Sequence, residues 1–342
     1  MGAALLAALC MLLWSLGIAT LASFTGTTAN SGSTFTAATA FSAGTGMRLA
    51  SGKFAGDGVD NRAITGVGFR PDAVIIRSDI SKEMAVMRTS TMTGDATKPL
   101  VGGTALTANL IQSLDADGFT VGNSVGVNSS SSARVFWIAF KAAAGQMKVG
   151  SYTGNGTGQS MTGLGFAPEY VIVASASAHS AVHRSSTMGS PYLFERAAAD
   201  TGAVTSLDAD GFSVGSGLQA NQNGTTYHYL AWNATAGAMS TGTYTGTGGD
   251  YRSVTGVGFQ AGYLIVRVDG TPSPGCGESP VHAPTIVPFG VNNIASLLFA
   301  TGIYASNFGV HKFEPDGFQV RTDCAVNDAG KNYHWVAFKD SP

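Results

Sequence analysis

Three blocks of sequence recur in the same order three times, and this constrains the fold more than any other property of the chain. The first block reads Ile64-Thr-Gly-Val-Gly-Phe-Arg-Pro-Asp-Ala-Val-Ile-Ile76, Met161-Thr-Gly-Leu-Gly-Phe-Ala-Pro-Glu-Tyr-Val-Ile-Val173 and Val254-Thr-Gly-Val-Gly-Phe-Gln-Ala-Gly-Tyr-Leu-Ile-Val266. The second is Ser113-Leu-Asp-Ala-Asp-Gly-Phe119, Ser206-Leu-Asp-Ala-Asp-Gly-Phe212 and Phe313-Glu-Pro-Asp-Gly-Phe318. The third closes each unit as Val135-Phe-Trp-Ile-Ala-Phe-Lys141, Tyr227-His-Tyr-Leu-Ala-Trp-Asn233 and Tyr333-His-Trp-Val-Ala-Phe-Lys339. The marker phenylalanines Phe69, Phe166 and Phe259 are 97 and 93 residues apart. Such a period is too long for a solenoid and suits a β-sandwich of roughly 100 residues.

Local chemistry agrees. Asp72–Ile76, Glu169–Val173 and Tyr263–Val266 are short apolar runs of the kind found in strands buried on both faces. Asp-Gly in the second block and Asn223-Gly224 are hairpin-turn dipeptides. In the third block Ile138/Phe140, Leu230/Trp232 and Val336/Phe338 share one strand face, and Trp137, Tyr229 and Trp335 the other. Glycine at 46 of 342 residues, with only 12% charged residues, fits an all-β chain rich in turns. The expectation is three tandem antiparallel β-sandwich (jelly-roll or lectin-like) repeats over 47–145, 146–237 and 238–342, after an N-terminal apolar helix.

These units resemble a repeat of phage tail, virion-associated and exported microbial proteins, whose fold is similar to concanavalin-like lectin sandwiches. The resemblance rests on the blocks above together with Gly150-Ser-Tyr-Thr-Gly-Asn-Gly156, Gly242-Thr-Tyr-Thr-Gly-Thr-Gly248 and the looser Gly52-Lys-Phe-Ala-Gly-Asp-Gly58. It covers roughly residues 48–339 and brings no catalytic residues with it.

The first charged side chain is Arg48. Before it, Ala3–Leu21 is a nearly continuous apolar helix former, and Thr20-Leu-Ala22 places small residues where a signal peptidase would cut before Ser23. Residues 1–22 are expected to be a signal peptide or, if uncleaved, a membrane anchor; a buried core helix is the third reading. Export to the cell surface or exterior follows from the first two. Cys10 is followed by more of the apolar run and preceded by Leu9, so it is no lipoprotein cysteine. From Leu21-Ala-Ser-Phe-Thr-Gly to Ser33-Thr-Phe-Thr-Ala-Ala-Thr39 the chain resembles the start of TasA/camelysin-type exported proteins. Gly26 stands where those carry an acidic residue. The resemblance implies filament assembly by donation of an N-terminal strand, which points to residues 23–46 and to Phe24, Phe35 and Phe41 as the polymerisation segment.

Candidate chemistry is sparse. Asp115/Asp117 and Asp208/Asp210 share a strand face, whereas a glycosidase pair faces across a cleft. They also lack the further ligands of a Ca²⁺ loop, so turn formation is expected, with room left for weak Ca²⁺ binding between repeats. Gly154-Asn-Gly-Thr-Gly158 has no lysine and no following helix, so it is no phosphate loop. His179 and His183 have a metal-binding spacing only on a helix, and they fall in a β region. His228 and His334 align with Phe136, which marks a structural position. Lys+Arg 19 against Asp+Glu 21 gives no basic field for nucleic acid.

The aromatics are the best binding candidates. Trp137, Tyr229 and Trp335, with Tyr227 and Tyr333 two residues earlier, would stack on sugars if exposed and form core if not. Cys276 and Cys324 both lie in the third unit, where an insertion lengthens the marker spacing, and a disulfide between them suits an exported protein. Asn128, Asn155, Asn223 and Asn233 open Asn-x-Ser/Thr glycosylation sequons. The functional expectation is a non-enzymatic, cofactor-free subunit of an extracellular or cell-surface filament whose partner is itself. The alternatives are a glycan-binding adhesin and a virion or tail-fibre component.

Overall fold

The computed structural model describes residues 46–80, 83–130, 133–195, 199–271, 273, 280–284, 297–300 and 309–340. The chain divides into Met1–Ala43 and Gly44–Pro342, and every described element belongs to the second unit. The fold is all-β with antiparallel sheets, as the sequence predicts. The expected N-terminal helix lies outside the described residues.

Each repeat builds one five-stranded and one three-stranded sheet. In the first, β1 (Arg48–Ala55), β3 (Ala73–Ser78), β4 (Val86–Thr89), β5 (Lys98–Pro99) and β8 (Arg134–Lys141) take the order β1-β8-β3-β4-β5, and β2 (Arg62–Thr65), β6 (Ile111–Asp115) and β7 (Gly118–Val121) the order β2-β7-β6. The second repeat repeats this with β9 (Met147–Thr153), β11 (Tyr170–Ser175), β12 (Val182–Ser185), β13 (Tyr192–Leu193) and β16 (Thr226–Trp232), over β10 (Gln159–Thr162), β14 (Val204–Asp208) and β15 (Gly211–Val214). In the third, the large sheet is β17 (Met239–Thr245), β19 (Tyr263–Val268), β20 (Val281–Pro284), β21 (Leu297–Leu298) and β24 (Asn332–Phe338), and the small one β18 (Arg252–Thr255), β22 (Val310–Glu314) and β23 (Gly317–Val320).

Within a repeat the two sheets enclose an apolar core. In the first, Val74, Ile76, Trp137 and Ala139 of the large sheet meet Ile111, Phe119 and Val121 of the small one. Equivalent cores fill the other two repeats. The opposite faces of the three large sheets converge on a fourth core that the repeats share. At its centre the rings of Phe140, Trp232 and Phe338 meet pairwise, each pair of centroids 5.3 Å apart. These residues occupy one position of the third sequence block, so they mark a pseudo-threefold axis. Both faces of β8, β16 and β24 are therefore buried, which is why these strands read as continuous apolar runs.

The repeats join head to tail around that axis. The Ala181 amide donates to the Leu100 carbonyl (2.9 Å), linking the first repeat to the second, and the Ala85 amide donates to Phe299 (2.8 Å), linking the third to the first. At the corresponding place in the third repeat stands Pro280, which has no N–H to give to the second.

Candidate functional site

The recurring motifs turn out to be devices that hold backbone in place. Asp117 lies in the turn between β6 and β7 and accepts from the amides of Gly66 (3.0 Å) and Gly68 (2.6 Å). Asp210 does the same for Gly163 and Gly165, and Asp316 for Gly256 and Gly258. All six glycines have φ between 78° and 88°, a region that β-carbons disfavour, so the first and second blocks are two halves of one carboxylate-capped loop. Asp115 accepts from the hydroxyls of Ser113 and Thr120, again within its own hairpin. Among the described residues no three His, Cys, Asp or Glu side chains are grouped as metal ligands would be.

A second device centres on the one-turn helices Val125–Asn128, Leu218–Asn221 and Cys324–Asn327. Each ends in a fully buried asparagine whose amide group bonds the glycine-rich loop after the first strand of its repeat. Asn128 accepts from the Asp57 amide (3.0 Å) and donates to the Val59 carbonyl (2.8 Å). Asn221 accepts from Asn155 (2.8 Å), and Asn327 accepts from Thr247 (2.9 Å) and donates to Gly249 (2.7 Å). Asn128 is therefore no glycosylation acceptor: its side chain is enclosed and committed. Asn155 and Asn223 are exposed, and the half-buried Asn233 donates to the Gly145 carbonyl.

The aromatic strip corrects the sugar-stacking expectation. Trp137, Tyr229 and Trp335 are no more than 7% exposed, and Tyr227 and Tyr333 are wholly buried. They face the small sheet of their own repeat, where their apolar area is most completely removed from water. The three rings lie flat across Gly52, Gly150 and Gly242, their direct partners on the neighbouring strand. A Cβ at those glycines would stand 2.1–2.3 Å from a ring atom. The phenols are also spoken for: Tyr227 Oη donates to the Leu218 carbonyl (2.6 Å) and Tyr333 Oη to the Cys324 carbonyl (2.7 Å).

Two histidines fall at the seams between repeats. His228 meets Thr91 Oγ1 of the first repeat (2.7 Å) through Nδ1, and His334 meets Thr187 Oγ1 of the second (3.1 Å). Phe136 takes the equivalent place in the first repeat. Burial pushes His228 down to about 4 and His334 in the same direction. His183 and His282 are fully buried in the shared core, each bonded by Nδ1 to a tyrosine, Tyr170 (3.1 Å) or Tyr263 (3.3 Å). Burial, then the nearby Arg267 guanidinium, holds His183 well below the usual imidazole range; burial and Arg77 lower His282 to about 3. His179 sits apart from His183, on Gln222 Oε1 (2.7 Å).

Sequence reasoning missed the other seam residues. Lys98, fully buried, donates to the carbonyls of Thr104 and, across the seam, Ser177 (2.8 Å), and burial lowers it to about 8. Its counterpart Tyr192 donates to Asp269 of the third repeat (2.6 Å), with the buried Arg267 guanidinium 4.5 Å from its ring centre. Arg77 reaches the Ala300 carbonyl (3.3 Å). One signal was available: Arg77 and Arg267 each follow an apolar run where the second repeat has Ala174.

Cys324 is disulfide-bonded. The chain's other cysteines, Cys10 and Cys276, lie outside the described residues, as do the apolar segment 1–22 and Phe24, Phe35 and Phe41. No described helix is long and apolar enough to cross a membrane.

No curated protein matches the chain. Residues 146–296, the second repeat and part of the third, match a family described as a domain of unknown function, DUF7483.

Proposed function

We propose that this chain is a non-enzymatic structural subunit of an extracellular or cell-surface filament, its repeats forming a rigid body and its residues 23–46 adding a strand to a neighbouring copy. The observation that carries this reading is the fate of the motifs. The side chains that looked most like chemistry, the Asp-Gly-Phe aspartates, Asn128 and the strand aromatics, are spent on holding each repeat together. The aromatics named for glycans offer no exposed ring, which weighs against the adhesin. The large sheets also keep one long edge each, β1, β9 and β17, where strand addition can occur. Export through residues 1–22 and the lectin-like and TasA-like resemblances belong to the same proposal.

Deleting residues 23–46 from the exported protein and imaging the product by electron microscopy tests it. Filaments of the full chain that vanish on deletion are the expected result. Filaments that persist unchanged, or a full chain that never polymerises, would overturn the mechanism.

A further inference from the structure

We infer that β17 is a self-association surface, the edge through which two copies of this chain pair their large sheets antiparallel about a twofold axis. The interface goes beyond the strand donation above, since it uses nothing before Gly46.

The pseudo-threefold makes three sheet edges equivalent. β1, β9 and β17 each terminate a five-stranded sheet on the same side. When an edge strand pairs with its own copy, its residues meet the same residues in reverse order, so a charge close to the twofold axis is brought near its twin. β1 carries Arg48 and Lys53, and β9 carries Lys148. Lysine on an edge is a common guard against sheet extension. β17 reads Met239-Ser-Thr-Gly-Thr-Tyr-Thr245 and has no charge.

The lysine guard is missing at places where the other repeats supply it, and the charge beside the strand is the Glu169 carboxylate of the second repeat, which accepts from Thr241 Oγ1 (2.6 Å). Lys148 stands opposite Ala231 as Ser240 stands opposite Ala337, and Lys53 opposite Phe136 as Thr243 opposite His334. The backbone is open as well. From Ser240 to Thr245 no backbone group among the described residues makes a hydrogen bond beyond the ladder with β24, whereas the Gly150 carbonyl of β9 already accepts from Thr91. β10 is uncharged too, but has only four residues against the seven of β17.

Pairing centred on Gly242 would set Thr241 against Thr243 of the second copy, a β-branched cross-strand pair, and join two five-stranded sheets into one. An edge of this length buries less than the ~1,200 Å² of a stable interface, so the dimer is expected to be weak and concentration-dependent.

Sedimentation equilibrium of the full chain, with and without the pair Ser240→Lys and Thr243→Lys, tests the inference. Both lysines copy residues that the other repeats accommodate, so the fold should survive, which near-ultraviolet circular dichroism checks. The expected result is a monomer–dimer equilibrium whose Kd rises about tenfold or more in the variant. Amide exchange provides a second readout: the amides of Ser240–Thr245 should slow as concentration rises, and those of β1 should not. A chain that is monomeric throughout, a dimer indifferent to the lysines, or exchange in β17 that ignores concentration would overturn it. Loss of filaments on deleting 23–46 with this dimer intact, or the converse, separates it from the proposed function.

Discussion

The two faces of each large sheet follow different rules. Toward its own small sheet, every repeat uses nearly the same residues: an aromatic over a glycine (Trp137, Tyr229, Trp335), then Ala139, Ala231 or Ala337, against Phe119, Phe212 or Phe318. Toward the shared core, equivalent positions diverge, as in Ala73, Tyr170 and Tyr263, or Met87, His183 and His282. Each sandwich is an enclosed space of one shape, so one packing solution serves three times. Around a common axis the three copies meet one another. At the axis three large rings, Phe140, Trp232 and Phe338, share the space, and around them a single chain is free to vary the equivalent positions.

The largest expected effect tests the shared core. Trp232→Ala removes a ring that touches both other repeats and should cost about 3–5 kcal/mol in urea denaturation, with amide exchange accelerated in all three repeats. Phe212→Ala, deep in one sandwich, should cost a similar amount but speed exchange mainly in the middle repeat. Equal spread from both variants would break the distinction between the two faces.

Acid should act on the seams next. The His228 imidazole titrates near 4 in the folded protein against 6.5 when free. The unfolded chain therefore takes up the proton first, and stability falls as pH drops from 6.5 toward 4, by at most about 3.5 kcal/mol at ~1.4 kcal/mol per unit. His228→Phe, copying Phe136, should flatten that part of the profile of urea midpoint against pH. A profile as steep as before would remove His228 from the acid response.

Gly150→Ala drives a Cβ to 2.3 Å from the Tyr229 ring and should cost about 1–3 kcal/mol. Adding Tyr229→Ala should then cost less than it does in the wild-type background, a coupling that a double-mutant cycle would read. Smallest of the set, Asp210→Ala should cost about 1–2 kcal/mol by leaving the Gly163 and Gly165 amides to solvent, seen as a lower melting temperature.

Much of the sandwich was legible in advance. The first block announces the buried strands β3, β11 and β19, and the Asp-Gly-Phe block announces the hairpins β6–β7, β14–β15 and β22–β23. The candidate site was less so. Alternation along Val135–Lys141 separates Trp137 from Ile138 and Phe140, but says nothing about what lies opposite either face. Trp137 was therefore open to a reading as exposed, and Asn128 as a sequon, when both are enclosed. The pairing of Thr91 with His228 spans 137 residues and leaves no local trace.

The threefold repetition, the β class and the turns are written in the residues directly, because period, glycine placement and strand propensity act over a few neighbouring residues. Packing at long range settled that the three sandwiches close on one axis, that His228, His334, Arg77 and Arg267 sit at the seams, and that β17 alone among the long edges lacks a charge. Those outcomes depend on which surfaces meet, and that is fixed by shape and burial between segments far apart in the chain.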